Sequence, residues 1–511
     1  MIKRPIDGEF NVETQTQRIS ESFLDDLIST HKKKIAPKYR KYQKLYENKH
    51  KIANRPQKDA NKPNNKLSND YFGNIIDNTV GYFLGKPIIL SYTEPEKEKP
   101  VVESTPVDVG VELEELEPDT IVQDNLTEIL TDNDVNDLFM EWGKEAMIKG
   151  LSHILVYQDE ESKTKIMKVS PEDMVIVYKN SSTKEAQYKI RLYSIDTEDT
   201  KRTTHYAEVY DDTGYDIFKC EEGSIGGKNL TGYTFVERKS HIYGRIPIIT
   251  MYNNEETMSD IERVVPLVND YDKVLSDVSN EFEAFRNAYL MLKNMVMNKD
   301  SIDKLKSEGI LEVMENGDAK FLTKQIQTEA LENHLNRLEK NIHKFSQVPD
   351  LTDESFAGNL SGVAIRFKLF GLETKCIIKE RKMERAIREL FRVLYTPLRV
   401  LSGKEPDVKN LKVTFTRNIP NNTTELVDAV TKLEGKVDKE TLLSLLPFID
   451  DPKKVLEKLK EDAKAEKDIT DPYSPDNVAG DEANLFPNLN AQNSPQGAFN
   501  AIGGFTPTET E

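Results

Sequence analysis

Between residues 259 and 401 apolar positions recur in steps of three and four, the spacing of one buried helix face. Ile261, Val264, Val268, Tyr271, Leu275, Val278, Phe282 and Phe285 form the first such stripe. Ser259 followed by Glu262 reads as a reciprocal cap at its start. Pro266 then falls late enough to predict a bend. The opposite face carries Glu262, Asp270, Asp272, Asp277, Glu281 and Glu283. Continued to Lys293, this helix would be about 50 Å long.

A short strand-like insert follows, in which two apolar runs flank Glu315, Asn316, Gly317 and Asp318. Asn-Gly between such runs predicts a hairpin. The helical period resumes at Thr328 with Leu331, Leu335, Leu338, Ile342 and Phe345, and it stops before Pro349. Residues 349–362 have the composition of an exposed loop, with Asp353 and Glu354 as its charges and Gly358 and Gly362 as its flexible points. A last long helix runs through Leu401 on the stripe Ile387, Leu390, Leu394, Leu398 and Leu401. It also carries Arg381, Arg385, Arg388 and Arg392 at intervals of four, three and four. Because Glu380, Glu384 and Glu389 interleave with them, these arginines read as an ion-pairing stripe, within or between subunits, rather than a DNA contact.

Upstream, residues 20–51 read as a helical pair whose second half is basic and tyrosine-rich, a pattern open to nucleic-acid contact but favouring a solvated face that packs its tyrosines. Residues 54–65 carry Pro56 and Pro63 and read as a linker or extended arm. Helices are predicted from Ser68 to Gly85 and from Val135 to Gly150, the second anchored in the core by Trp142, the chain's one tryptophan. Residues 94–118 are acidic and proline-bearing, the signature of a surface loop. From 152 to 252 the period changes to short alternating strands, a mainly antiparallel β region. Helical patterns return at 424–433, 438–446 and 451–465, and residues 471–511 have the composition of a disordered tail.

Composition narrows the function. The 511 residues are 37% hydrophobic and carry a formal net charge of −18, with a pI of about 5.1 and a mean hydropathy of −0.60. That acidity argues against wrapping nucleic acid, which requires a basic surface, and the low hydropathy favours an extended, assembly-dependent architecture. Cys220 and Cys376 form neither a disulfide framework nor a metal signature, so synthesis in a reducing cytoplasm is expected. The N-terminus has no apolar signal core, and no run of about 18 apolar residues occurs, so neither secretion by that route nor a membrane span is expected.

Catalytic motifs fail on inspection. Asp212-Thr213-Gly214 has the letters of an aspartic-protease signature but occurs once, between strand patterns, where a turn is due. Residues 223–229 lack phosphate-loop spacing, and the seven histidines show no metalloprotease spacing. No catalytic residue, cofactor or metal site is expected.

Three segments together resemble the portal proteins of long-tailed bacteriophages of Gram-positive hosts: NNKLSNDYFGNIIDNTVGYFLGKPI at 64–88, YGRIPIITMYNN at 243–254 leading into Ser259, and GNLSGVAI at 358–365. The resemblance runs in order from about residue 20 to 465. It implies an α+β, portal-type ring subunit with long stem and wing helices, a mainly antiparallel β region and a small α/β clip. Its parts would be a flexible N-terminus (1–19), N-terminal wing (20–258), stem helix (259–293), clip (294–327), second stem helix (328–348), tunnel loop (349–362), wing helix and return strand (363–420), crown (421–466) and disordered tail (467–511).

The same resemblance implies a ring of about a dozen copies at one capsid vertex of the virion, assembled in the host cytoplasm, through which double-stranded DNA passes non-specifically during packaging and ejection. Its partners would be copies of itself, the large subunit of the terminase motor, a head–tail adaptor, and the major capsid and scaffolding proteins, with no membrane. Asp353, Glu354, Ser355, Gly358, Asn359 and Leu360 would face the DNA. Arg381, Arg385, Arg388 and Arg392 would pair subunits, and Asn316, Gly317 and Asp318 would dock a partner on the clip. The alternatives are a non-portal structural or scaffolding protein, or a DNA-processing motor subunit. The equivalence of the acidic 94–118 insertion is open.

Overall fold

Leu24, Leu27 and Ile28 give helix α1 (Glu21–Thr30) one apolar stripe, and a π-helical turn, His31–Ile35, carries the chain into α2 (Ala36–Tyr46). This computed structural model describes residues 10–11, 19–57, 59–60, 62–93, 121–179, 185–197, 202–221, 232–285, 289–293, 299–308, 317–322, 328–351, 362–419, 430–433, 435–444, 455–456 and 458–459. They belong to two units, 1–420 and 421–511. Tyr39 and Tyr42 are buried, so the tyrosines of α2 serve packing, as their spacing predicts.

Helix α3 (Tyr71–Leu84) begins where the Asp70 carboxylate accepts the Gly73 N–H at 3.0 Å, a side-chain N-cap. Strand β2 (Ile89–Tyr92) follows. Beyond the acidic 94–118 segment, which lies outside the described residues, come α4 (Ile121–Thr131) and α5 (Val135–Lys149). Trp142 is fully buried and anchors the largest core, which joins α3, α4 and α5 to the helices that follow. Gly150 ends α5 at φ 95°, in the left-handed region, and a Cβ there would lie 2.2 Å from the Thr257 carbonyl oxygen. Only glycine meets both demands.

The β region divides into two sheets. Strands β3 (Leu151–Gln158), β4 (Thr164–Val169) and β10 (Ile248–Tyr252) form one, in the order β10-β3-β4, backed by α5. The other runs β1-β5-β6-β7-β8-β9, with β1 (Phe10–Asn11), β5 (Met174–Tyr178), β6 (Ala186–Thr197), β7 (Arg202–Tyr210), β8 (Gly214–Glu221) and β9 (Thr234–Ser240). Among the described residues only the β1–β5 pair is parallel. Helix α1 covers the larger sheet through Leu24, Leu27 and Ile28 against Val175, Ile190 and Phe218. Alternation finds most of these strands but not β9, an exposed, charged edge strand with no apolar face to read.

Helix α6 (Val265–Phe285) differs from its prediction at both ends. Residues 260–264 form turns, because Ser259 is buried and donates to the Met147 carbonyl at 3.2 Å instead of capping a helix. The helix opens cleanly at Val265 with Pro266 in its first turn, where a missing N–H costs nothing, so no proline bend occurs. It ends at Phe285, and the expected extension to Lys293 is instead β11 (Tyr289–Lys293). That strand pairs antiparallel with β12 (Asp318–Leu322), and α7 (Lys299–Glu308) lies between them in the chain. The other arm of the predicted Asn-Gly hairpin, with Asn316, lies outside the described residues.

Helix α8 (Thr328–Ser346) packs on α6. The long helix read through Leu401, which the resemblance implies to be kinked, is divided into α9 (Gly362–Val393) and α10 (Tyr395–Ser402). The break has a local cause: the Pro397 ring excludes the carbonyl four residues back, at Val393, where α9 ends. Strand β13 (Leu411–Thr414) returns to pair with β2. Among the described residues no helix is long and apolar enough to cross a membrane. In the second unit a short helix, Lys439–Ser444, is capped by Asp438, which accepts the Thr441 N–H at 2.9 Å. Residues 471–511 lie outside the described residues.

Candidate functional site

The polar face of α6 is occupied by the chain's own arm. Arg55 forms an ion pair with Asp277. Asn65 donates its backbone N–H and its amide to Asn280 Oδ1 at 2.6 and 3.0 Å, and its amide also reaches Glu283 at 2.9 Å. One turn back along α6, the Leu67 N–H donates to Ser276 Oγ at 3.0 Å, and Asn69 donates twice to Asp272 Oδ1 at 2.9 Å. The other Asp272 oxygen meets His50 Nδ1 at 2.6 Å, with both side chains out of solvent. Arg55, Asn65, Leu67 and Asn69 thus hold this arm along the helix, and the carboxylates of Asp272, Asp277 and Glu283 are committed to it and to His50.

At the foot of α6 lies a buried junction. Asp260 Oδ1 accepts from Lys379 Nζ at 2.6 Å and Asn253 Nδ2 at 2.7 Å. Its Oδ2 lies 3.0 Å from Lys375 Nζ, an ion pair without hydrogen-bond alignment. Lys375 also donates to the Ser346 carbonyl at 3.2 Å, at the end of α8, and Lys379 donates to Asn253 Oδ1 at 2.5 Å. Burial alone would push the Asp260 carboxyl up, but the two ammonium groups overcome it and hold the carboxyl well below its usual range. Burial lowers Lys379, and Asp260 opposes the shift. One carboxylate therefore ties together the turn before α6, the end of α8, α9 and the end of β10.

The third feature is the outer face of α9. Val363, Phe367 and Phe370 are 63%, 76% and 67% exposed, and Ile377 and Ile378 are exposed a turn or two further on. The steps from 363 through 367, 370, 374, 377, 381, 385 and 388 to 392 are all three or four, so the apolar residues and the four arginines share one face. It is apolar toward the start of α9 and basic toward its end.

The structure divides the predicted arginine stripe. Arg388 donates to Glu384 at 2.9 and 3.1 Å and to the Val408 carbonyl, and Arg392 pairs with Glu389 at 2.8 Å. These two are engaged within the chain. Arg381 and Arg385 are exposed, and neither has an ion-pair partner among the described residues. The predicted loop residues Asp353, Glu354, Ser355, Gly358, Asn359 and Leu360 lie outside the described residues, as does Asn316. Gly317 precedes β12, and Asp318 opens it opposite Lys293.

Asp212-Thr213-Gly214 is an ordinary turn: Asp211 Oδ1 accepts the Thr213 and Gly214 N–H groups at 2.8 and 2.9 Å and is paired with Arg238. Residues 223–229 lie outside the described residues. Cys220 and Cys376 are free and buried. Among the described residues, Glu339, His343 and Asp350 are the one group whose side chains could converge on a metal ion.

Sequence reasoning missed the Asp260 junction, although a signal for it exists. Lys379 stands in register with the buried positions Leu372, Cys376, Met383 and Ile387 of α9, and a lysine in an apolar stripe implies a buried acidic partner. The arm along α6 leaves no such signal, because residues 54–65 have no period.

Comparison with known proteins agrees across most of the chain. Residues 25–468 match the family described as phage portal protein, SPP1 Gp6-like. Bacillus phage SPP1 has a portal protein 28% identical over 367 residues, covering 68% of this chain and 72% of that protein. The portal protein of Clostridium phage phiCD119 is 24% identical over 450 residues, covering 83% of this chain and 90% of that protein.

Proposed function

The chain belongs to the SPP1 Gp6-like family of phage portal proteins, structural proteins of the DNA-packaging capsid vertex, and from that premise we propose how its parts serve the role. Copies assemble head to side into a closed ring around the path of double-stranded DNA. Helices α6 and α8 are the stem, and the β11-α7-β12 unit is the clip. Residues 349–362 are the tunnel loop, α9 and α10 the bent wing helix, and residues 421–466 the crown. The loop residues 353–355 and 358–360 meet DNA, while Asn316, Gly317 and Asp318 present the clip to a terminase motor or a head–tail adaptor.

The observation that carries ring assembly is the outer face of α9. A single chain that leaves two phenylalanines more than two-thirds exposed on one helix face requires a partner to cover them. In a homo-oligomeric ring that partner is the adjacent copy, with Arg381 and Arg385 continuing the contact as its polar margin. Arg388 instead ties α9 to the Val408 carbonyl, and Arg392 is paired with Glu389 on α9 itself. The channel repels DNA through the net negative charge, and the carboxylates of Asp272, Asp277 and Glu283 serve the arm rather than the channel wall.

Replacing Phe367 and Phe370 together by serine tests this reading. Mass photometry of the purified protein is expected to record single chains in place of rings, with unchanged circular dichroism because neither ring lies in the core. Rings of normal size from the double variant would overturn the assignment of this face.

A further inference from the structure

We infer that Glu339, His343 and Asp350 form a binding site for a divalent transition-metal ion at the end of α8. The candidate ligand atoms of the three side chains lie within 4.8 Å of one another, close enough for one cation to bind all three. Glu339 and His343 are four residues apart on α8 and share a face. Asp350 comes to them because the helix stops at Ser346 and Gln347 takes φ 61°, a left-handed residue that folds the chain back along its last turn.

Groups outside the three ligands orient them. His343 Nδ1 donates to the Val348 carbonyl at 3.0 Å, which fixes the proton on that nitrogen and leaves Nε2 as the ligand atom. An imidazole held through its second nitrogen by a backbone carbonyl is the usual arrangement of a metal-bound histidine. Tyr71 packs its ring edge against His343, with centroids 6.1 Å apart. All three ligand residues are half-buried, so an ion there is reachable from solvent yet sheltered.

The donor set selects the metal. One imidazole nitrogen and two carboxylates, completed by water, suit Zn2+ or Mn2+ better than Ca2+ or Mg2+, which favour oxygen donors alone. Two of the ligands stand on α8 and the third four positions beyond the end of that helix, so a bound ion pins residues 347–350 to α8. Lys375 already holds the Ser346 carbonyl from the other side. The inference needs neither a ring nor DNA, so it can fail while the portal reading stands.

The test uses full-length protein stripped with a chelator, then dialysed against Zn2+ or Mn2+ and analysed for bound metal. One equivalent of metal per chain is expected, and Co2+ substitution should give a visible d–d spectrum. His343→Gln and Asp350→Asn should each weaken binding by about tenfold or more. Hydrogen exchange at residues 348–351 should slow with metal in the wild type and not in the variants. Two results would overturn the site: no stoichiometric metal, or equal binding by wild type and a variant carrying both His343→Gln and Asp350→Asn. Ca2+ or Mg2+ binding tighter than Zn2+ would overturn the donor-set argument.

Discussion

Asp260 is the residue whose removal should cost the protein most. Its carboxylate neutralises two lysines inside the protein, and Lys379 has no other anion beside it among the described residues. Asp260→Asn leaves both ammonium groups uncompensated, and a loss of about 3–5 kcal/mol is expected in denaturant unfolding. The pH dependence has a defined sign. The folded carboxyl titrates below its ordinary 3.8, so its contribution is complete above that value and is lost as pH falls from there toward the folded value. Wild type should therefore show a steeper loss of stability below about pH 4 than Asp260→Asn does. Equal acid slopes would exclude this origin. At this scale the sequence misled at Ser259: with Glu262 it has the letters of a capping box, yet it spends its hydroxyl on the Met147 carbonyl.

At the scale of elements, the arm along α6 is the assembly that periodicity could not find. Its bonds join backbone N–H groups of an extended segment to short polar side chains, a pattern with no apolar repeat. Asn280→Ala removes the acceptor of both Asn65 donors. Hydrogen exchange of the Asn65 amide should accelerate by about tenfold, while the melting temperature of the whole chain moves by only a few degrees. An unchanged Asn65 amide would mean that the arm is held elsewhere. Long elements with one apolar face, α3, α5, α8 and α9, were legible because burial imprints its period on the sequence. The lower end of α6 was not, since Tyr289–Lys293 is apolar enough for either structure and its strand partner, β12, decides.

For the whole molecule, the proposed contact between DNA and residues 349–362 has a direct test. Shortening residues 353–359 removes the proposed DNA-facing loop without touching α8 or α9. Rings of normal size should form, while phage carrying the shortened chain package little or no DNA. Normal packaging would remove the loop from the mechanism. The outer face of α9 and the loop are separable in this way, one read by assembly and the other by packaging.

By itself the sequence determined the α+β class, the order of the long helices and strands, and the portal family. Each of these is written in local spacing or in ordered motifs along the chain. Only the tertiary structure decided that Lys375 and Lys379 converge on Asp260, that Arg388 and Arg392 are engaged within the chain, and that the acidic face of α6 serves an arm. The physical reason is distance along the chain. A helical period records that a position is buried, but an ion pair between residues 119 positions apart leaves no period to read.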